Sequence, residues 1–143
     1  MLVLGRRIGP IYLGEPRAKI EAAYGKGQRV TLRQGTANPV VTYYPAISIR
    51  VMYLGGHRKF AVILETSSPR YRTESGIGVG SGIGPLRKIG ANCSVSPGSC
   101  GLPGGFGPPK HPTTATTFFL NHEPFPHAPP ARVVRVVVAP LGG

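Results

Sequence analysis

The chain has 143 residues, enough for one domain with its own hydrophobic core or for two tightly packed halves. Its apolar fraction of 41% excludes an intrinsically disordered chain, and no window approaches the ~20 apolar residues of a membrane-spanning helix. Seventeen Lys and Arg residues oppose five Glu residues and no Asp, so the net charge of +12 favours an anionic partner such as nucleic acid, lipid head groups or an acidic envelope polymer.

The first half of the chain predicts one helix followed by an antiparallel β-meander. Residues 15–24 predict the helix, because Pro16 suits a first turn, Ile20 and Tyr24 lie four apart on one face, and Gly25 can end it. The segments that follow are β-rich, and most of them alternate between apolar and polar residues, as half-buried strands do. These segments are residues 28–33, 40–44, 49–53 and 60–64.

The second half repeats this pattern about 66 residues later. The repeat places Gly80 and Leu86 over Gly14 and Ile20, and residues 116–120 over residues 50–54. A last strand is predicted at residues 132–138, with Val134, Val136 and Val138 on one face and Arg135 on the other.

Such repetition predicts an α+β fold of two tandem units, each one short helix plus an antiparallel meander. Residues 1–65 form the first unit, residues 66–75 a linker, and residues 76–143 the second unit. The second unit carries Gly- and Pro-rich insertions at residues 98–112 and 124–130, and the two units can pack as a single domain.

The two cysteines, Cys93 and Cys100, predict a disulfide, because the intervening Pro97 and Gly98 let the chain double back. A metal site is a weaker alternative, since the chain has no Cys-x-x-Cys and no paired His nearby, and two unrelated reduced thiols are the third. A disulfide implies an oxidising compartment. The apolar start, Met1 to Leu4, is too short for a signal peptide. We therefore expect an extracellular or periplasmic protein whose export signal is truncated from this chain, with a cytosolic location as the alternative.

The glycine-rich segment at residues 76–84 invites comparison with a phosphate-binding loop. It lacks the glycine spacing of the dinucleotide fingerprint and the Gly-Lys-Ser/Thr ending of a P-loop, and its counterpart at residues 8–14 is poorer in glycine. These features favour a structural turn into a helix.

No arrangement of residues predicts catalysis, a cofactor or a metal ion. His111, His122 and His127 lie in Pro-rich sequence with nothing to define a ligand geometry, and the five Glu residues are scattered. Ser81 and Ser99 have no His or Asp pattern around them that would indicate a nucleophile. The sequence therefore predicts a protein that is not an enzyme.

Two motifs carry a resemblance to a loosely defined group of small exported bacterial proteins without an assigned activity. They are Ile11-x-Leu13-Gly14-x5-Ile20-x3-Tyr24-Gly25 and Arg72-Thr73-x-Ser75-Gly76-Ile77-Gly78-Val79-Gly80-Ser81. More distantly, the repeat resembles the tandem units of β-lactamase-inhibitor proteins and of small outer-membrane assembly lipoproteins. That resemblance implies helices on one face of an antiparallel sheet and a protein-binding surface.

The function predicted from these features is binding to a protein or an anionic envelope polymer through a basic surface. The arginines expected to form that surface are Arg29, Arg33, Arg50, Arg58 and Arg135. The alternative is a cytosolic nucleic-acid-binding module whose sheet stacks bases on aromatic rings among arginines. The rings considered for stacking are Tyr43, Tyr44, Tyr53, Tyr71, Phe118 and Phe119, although Tyr53 and Phe119 fit core positions equally well.

Overall fold

The computed structural model describes residues 1–30, 40–54, 60–94, 98–103, 114–121 and 131–140. Two short helices, α1 (Arg17–Tyr24) and α2 (Ile83–Lys88), occur in this part of the chain. The strands are β1 (Leu2–Val3), β2 (Arg7–Ile8), β3 (Ile11–Tyr12), β4 (Gln28–Val30), β5 (Val40–Tyr44), β6 (Ile49–Leu54), β7 (Phe60–Thr66), β8 (Asn92–Ser94), β9 (Ser99–Pro103), β10 (Thr114–Leu120) and β11 (Val133–Pro140).

Eight of these strands form one antiparallel sheet in the order β4-β5-β6-β7-β11-β10-β9-β8. Strands β4 to β7 pair in chain order, and strands β8 to β11 do the same from the other edge. The two sets meet in the centre, where Val136 of β11 lies opposite Thr66 of β7 and Val138 lies opposite Leu64. The sheet is therefore continuous across both halves of the chain.

The N-terminal strands β1, β2 and β3 form a second, three-stranded antiparallel sheet. Their side chains Leu2, Ile8 and Ile11 are buried in the same core as the large sheet. The amide of Gly5 donates to Thr116 Oγ1 at 2.7 Å, which ties this small sheet to β10. The small sheet therefore packs over the core face of the large one.

Helix α1 confirms the predicted helix at residues 15–24, with Pro16 directly before it and Gly25 after it at a φ of 82°. A positive φ of this kind is accessible to glycine at little cost, which explains why the helix ends there. Each helix buries one side chain within the described chain, Ile20 in α1 and Leu86 in α2. Both helices are too short to supply most of the layer that covers the sheet.

The predicted α+β fold of two helix-plus-meander units, with helices packed on the sheet, is therefore wrong. Strands make up 51% of the described chain and helices 14%, so the protein is mostly β. The small sheet and irregular chain cover much of the core face, the latter through the buried side chains of Tyr71 and Ile77. The division of the chain at residues 66–75 stays a prediction.

A β-bulge changes which side chains face the core at the C-terminal strand. The register between β10 and β11 shifts at Phe119 and Leu120, so that Leu120 lies opposite Val133. An extra residue in one strand reverses the alternation of faces beyond it. Val133 is consequently buried and Val134 is 43% exposed, against the prediction that Val134 shares a face with Val136 and Val138.

The predicted disulfide is confirmed, since a disulfide joins Cys93 of β8 to Cys100 of β9, which are directly opposite in the ladder. Cys100 is fully buried in the core, and no cysteine is free. The bond is compatible with an oxidising compartment. Neither described helix is long and apolar enough to cross a membrane.

Candidate functional site

One face of the large sheet packs on the core, and the other, which we call the outer face, carries the candidate site. Successive side chains of a strand point to opposite faces, and Tyr44, Ile49, Leu64, Val136 and Phe118 occupy the core. Their strand neighbours therefore define the outer face. In the five central strands these include Tyr43, Arg50, Met52, Ile63, Glu65, Thr117, Phe119, Arg135 and Val137.

Strand register places charged groups from three strands side by side on the outer face. Arg50 of β6 lies opposite Tyr43 of β5 on one side and opposite Glu65 of β7 on the other. Glu65 in turn lies opposite Val137 of β11, one diagonal step from Arg135. The sheet thus brings together Arg50, Glu65 and Arg135, which are far apart in sequence.

Glu65 is shared by two arginines. Its Oε1 atom lies 3.5 Å from an Nη1 atom of Arg50 and 3.5 Å from an Nη1 atom of Arg135. The Glu65 side chain is 20% exposed, whereas the arginine side chains are 45% and 42% exposed. One carboxylate cannot neutralise two guanidinium groups, so this trio keeps a net positive charge toward solvent.

Arg135 is the more constrained of the two arginines. Its guanidinium carbon lies 4.2 Å from the centre of the Phe119 ring, which is cation–π geometry. Its Nε atom is buried and has no hydrogen-bond partner within the described structure. Contact with Phe119 therefore holds Arg135 against the sheet, and Arg50 is the arginine with more freedom to engage a ligand.

A groove with a volume of about 440 Å³ opens beside this trio, where β6 begins and β7 ends. We call it the Glu65 groove, and all seven lining side chains are polar. They are Tyr43, Ser48, Arg50, Glu65, Thr66, Ser67 and Ser68.

Internal hydrogen bonds shape one wall of the groove. The hydroxyl of Thr66 donates to the carbonyl oxygen of Ser48 at 2.7 Å and accepts from the amide of Ser68 at 3.1 Å. Ser48 has a φ of 54° and is the one non-glycine residue with positive φ in the described chain. The turn before β6 is therefore clamped to the end of β7, and Ser48 is held in a conformation that is uncommon for serine.

The structure brings together two of the five arginines predicted as a binding surface. Arg50 and Arg135 meet around Glu65, whereas Arg29 lies exposed in edge strand β4 opposite Thr42, whose side chain belongs to the other face. Arg33 and Arg58 lie outside the described residues. The sequence prediction missed Glu65, although the alternation in the predicted strands already placed it outward, like Arg50.

The first part of the glycine-rich segment, residues 76–81, forms a turn in which most amide groups donate within the protein. The amides of Gly76 and Ile77 donate to Thr73, and that of Gly80 donates to the Val133 carbonyl oxygen at 2.8 Å. The amide of Gly78 donates to Ser81 Oγ at 3.0 Å. A phosphate cradle needs such amides to point at the ligand, so residues 76–81 do not have the required geometry.

Replacing Gly78 with alanine is expected to destabilise the protein by about 1–3 kcal/mol. A Cβ atom at Gly78 would overlap the carbonyl oxygen of Tyr71, which belongs to the backbone and cannot rotate away. The matched control is Gly84→Ala in α2, where the added Cβ atom meets nothing within 4 Å. Urea denaturation should show the loss for Gly78→Ala and a neutral or stabilising effect for Gly84→Ala. Equal stability of the two variants would contradict this role for Gly78.

The described residues give no evidence for a metal site or for a catalytic nucleophile. Within that part of the chain, no group of three or more His, Cys, Asp or Glu side chains could hold a metal ion. His111, His122 and His127 lie outside it. Ser81 serves the glycine-rich turn as an acceptor, and Ser99 lies in β9 opposite Phe119.

Most of the aromatic rings considered for base stacking are in the core. Tyr44, Tyr53, Tyr71 and Phe118 are buried. Phe119, which the sequence also allowed in the core, lies instead on the outer face, as does Tyr43. These two rings belong to β5 and β10, four strand spacings apart, which corresponds to about 19 Å. Successive bases of a strand could not stack on rings so far apart.

Comparison with known proteins found no related protein. The chain matches no protein-family model, no curated protein and no solved structure. The resemblance to small exported bacterial proteins therefore stays a prediction.

Proposed function

We propose that this chain is a non-enzymatic exported binding protein that contacts an anionic protein or envelope polymer through the outer face of its sheet. The observation that carries the proposal is the pairing of two arginines, Arg50 and Arg135, with a single carboxylate on that face. The uncompensated charge attracts an anionic partner, and the overall charge of +12 acts in the same direction at longer range.

The surroundings of the arginines also support a binding surface. Met52, Ile63 and Val137 lie on the same face and are only partly buried, so apolar area adjoins the charged trio. Arginines and partly exposed apolar side chains are the mixture on which protein interfaces rely. The disulfide between Cys93 and Cys100 supports an oxidising compartment, and hence export.

The proposal is tested by the binding of poly-L-glutamate to the full chain at several salt concentrations. The double variant R50Q/R135Q removes two charges from the outer face, and we expect it to weaken binding at least tenfold. The matched control R87Q/K88Q removes two charges from exposed positions of α2, on the opposite side of the sheet, and should change affinity less than threefold. Thermal unfolding of each variant confirms that it is folded.

Two outcomes would overturn the proposal. Equal weakening by both double variants would mean that binding reflects the overall charge and not the outer face. Tighter binding to single-stranded RNA than to poly-L-glutamate, lost in R50Q/R135Q and falling steeply with salt, would favour the nucleic-acid-binding module instead.

A further inference from the structure

We propose that the Glu65 groove binds an acidic sugar residue, a uronate of an anionic polysaccharide, with the sugar carboxylate at Arg50 and sugar hydroxyls at Glu65. This inference rests on the proposed function and names the partner's chemistry.

The lining matches a small, highly hydroxylated ligand. Pockets for drug-like molecules are mostly apolar with a few polar groups, whereas every side chain lining this groove is polar. Five of the seven carry a hydroxyl group and the other two are charged. A volume of about 440 Å³ is sufficient for one or two sugar rings.

Several of these groups are unused in the described structure. The side-chain hydroxyls of Tyr43, Ser48 and Ser67 have no hydrogen-bond partner among the described residues. The carboxylate of Glu65 faces two arginines at 3.5 Å, longer than the about 2.7–2.9 Å of a charge-assisted hydrogen bond. The Glu65 carboxylate therefore has capacity to accept hydrogen bonds from sugar hydroxyls.

The two arginines balance different charges: Arg135 balances Glu65, and Arg50 balances the carboxylate of the ligand. Arg135 is packed on Phe119 and stays beside Glu65. Arg50 is 45% exposed and lines the groove, so it can turn toward an incoming carboxylate and pair with it in the bidentate manner that guanidinium groups favour. Arg135 then continues to compensate Glu65, and the buried end of the site keeps its charge balance.

A further positive charge lies at the rim of the groove. The Nη2 atom of Arg70 donates to the Ala46 carbonyl oxygen at 3.3 Å, in the turn that carries Ser48. The amide of Arg70 donates to Ser68 Oγ at 3.4 Å. Arg50 and Arg70 together outweigh Glu65, so the groove favours an anionic sugar over a neutral one.

An acidic peptide is a less suitable occupant of the groove. The side chains that dominate affinity in protein interfaces are most often Trp, Tyr and Arg, and they lie in well-packed, desolvated pockets. The lining contains no aliphatic side chain, and its ring belongs to Tyr43. The side chain of a peptide glutamate has no hydroxyl group to offer the lining hydroxyls and the Glu65 carboxylate. A uronate has hydroxyl groups that can bind both.

The experiment is calorimetric titration of the full chain with α-1,4-trigalacturonate, its carboxyl-reduced neutral analogue and hexaglutamate. We expect saturable binding of trigalacturonate and at least tenfold weaker binding of the neutral analogue. Arg50→Gln should lower the affinity for trigalacturonate at least tenfold, and the matched control Arg87→Gln in α2 should leave it within twofold.

Glu65→Gln separates sugar recognition from simple charge attraction. This variant makes the groove more positive, so a site that only attracts anions would bind both acidic ligands more tightly. A site that uses the carboxylate to accept sugar hydroxyls should bind trigalacturonate at least threefold more weakly, while hexaglutamate binds no more weakly than before. Amide chemical shifts in the nuclear magnetic resonance spectrum should change around Ser48, Arg50 and Ser67 when trigalacturonate is added.

The outcomes distinguish this inference from the proposed function. Binding of hexaglutamate without binding of trigalacturonate would overturn the uronate site and leave the anionic surface intact. Tighter trigalacturonate binding by Glu65→Gln would also overturn it. Binding of neither ligand would count against both proposals.

Discussion

Replacing Phe118 with alanine is expected to lower the free energy of unfolding by about 3–5 kcal/mol. Phe118 is fully buried in the middle of β10, opposite Cys100 of β9 and Val136 of β11, which are fully buried too. Alanine would leave a cavity between three strands that are hydrogen-bonded to one another and cannot collapse into it. Guanidinium denaturation at equilibrium measures the loss.

The neighbouring residue supplies the control. Phe119 has the same side chain in the same strand, but it lies on the outer face and is only partly buried. Replacing Phe119 with alanine removes a partly buried ring and its contact with Arg135. It should lower the free energy of unfolding by less than half as much as Phe118→Ala does. A larger loss for Phe119→Ala would mean that the faces of β10 are assigned the wrong way round.

Removing one hydroxyl of the buried tyrosine pair is expected to cost about 1–3 kcal/mol, because the other hydroxyl loses its hydrogen bond within the pair. The hydroxyls of Tyr44 and Tyr53 lie 2.7 Å apart, and both side chains are fully buried. The double variant Y44F/Y53F removes both polar groups and keeps both rings, including the Tyr53 ring beneath Arg17. It should therefore be less destabilised than the sum of Y44F and Y53F. Additive losses in urea denaturation would show that the hydroxyls act independently.

The same pair predicts a loss of stability in alkaline solution. Burial raises the pKa of both Tyr44 and Tyr53 above the ordinary value of 10.0. Above pH 10 the unfolded chain releases these protons while the folded chain retains them, so stability falls as the pH rises. A tyrosine that keeps its proton in the folded chain and loses it in the unfolded chain contributes at most about 1.4 kcal/mol per pH unit to this slope.

Comparison of the wild type with Y44F/Y53F between pH 8 and pH 11.5 isolates this effect, because all other titrating groups are shared. The difference in unfolding free energy should be constant below pH 10, the ordinary tyrosine value, and then shift in favour of the double variant. A pH-independent difference would mean that the two hydroxyls are accessible to water.

Short-range sequence patterns correctly predicted several strands and one helix of this chain. Alternation identified β4, β6, β7 and β11, β-rich composition identified β5, and the repeat identified β10. The i, i+4 pair Ile20 and Tyr24 identified α1. Local pattern did not identify β8 or β9, and β9 lies in the Gly- and Pro-rich stretch of residues 98–112 that was predicted as an insertion. It also did not identify β1, β2 and β3, which have two residues each. These strands are too short to show a period, and they depend on distant partners such as the Arg72 carbonyl oxygen, which accepts from the amide of Leu2 at 2.8 Å.

The candidate site was predicted only in part, for a related reason. Charge and strand alternation pointed to Arg50 and Arg135 as outward basic residues. Their meeting around Glu65 depends on β7 and β11 being neighbours, and the groove depends on a turn that docks Ser48 against Thr66. Both are contacts between residues distant in sequence, which periodicity does not report.

The sequence by itself therefore determined the strand-forming segments of β4 to β7, β10 and β11, one helix, the basic character and the cysteine pair that forms the disulfide, because these follow from composition, short spacings and local periodicity. Only the tertiary structure decided that the protein is mostly β, that a small N-terminal sheet covers part of the core, and that Val134 is exposed. The physical reason is that layer packing, strand order and bulges are set by long-range contacts. The arrangement of Arg50, Glu65 and Arg135 belongs to this second group, as does the groove beside it.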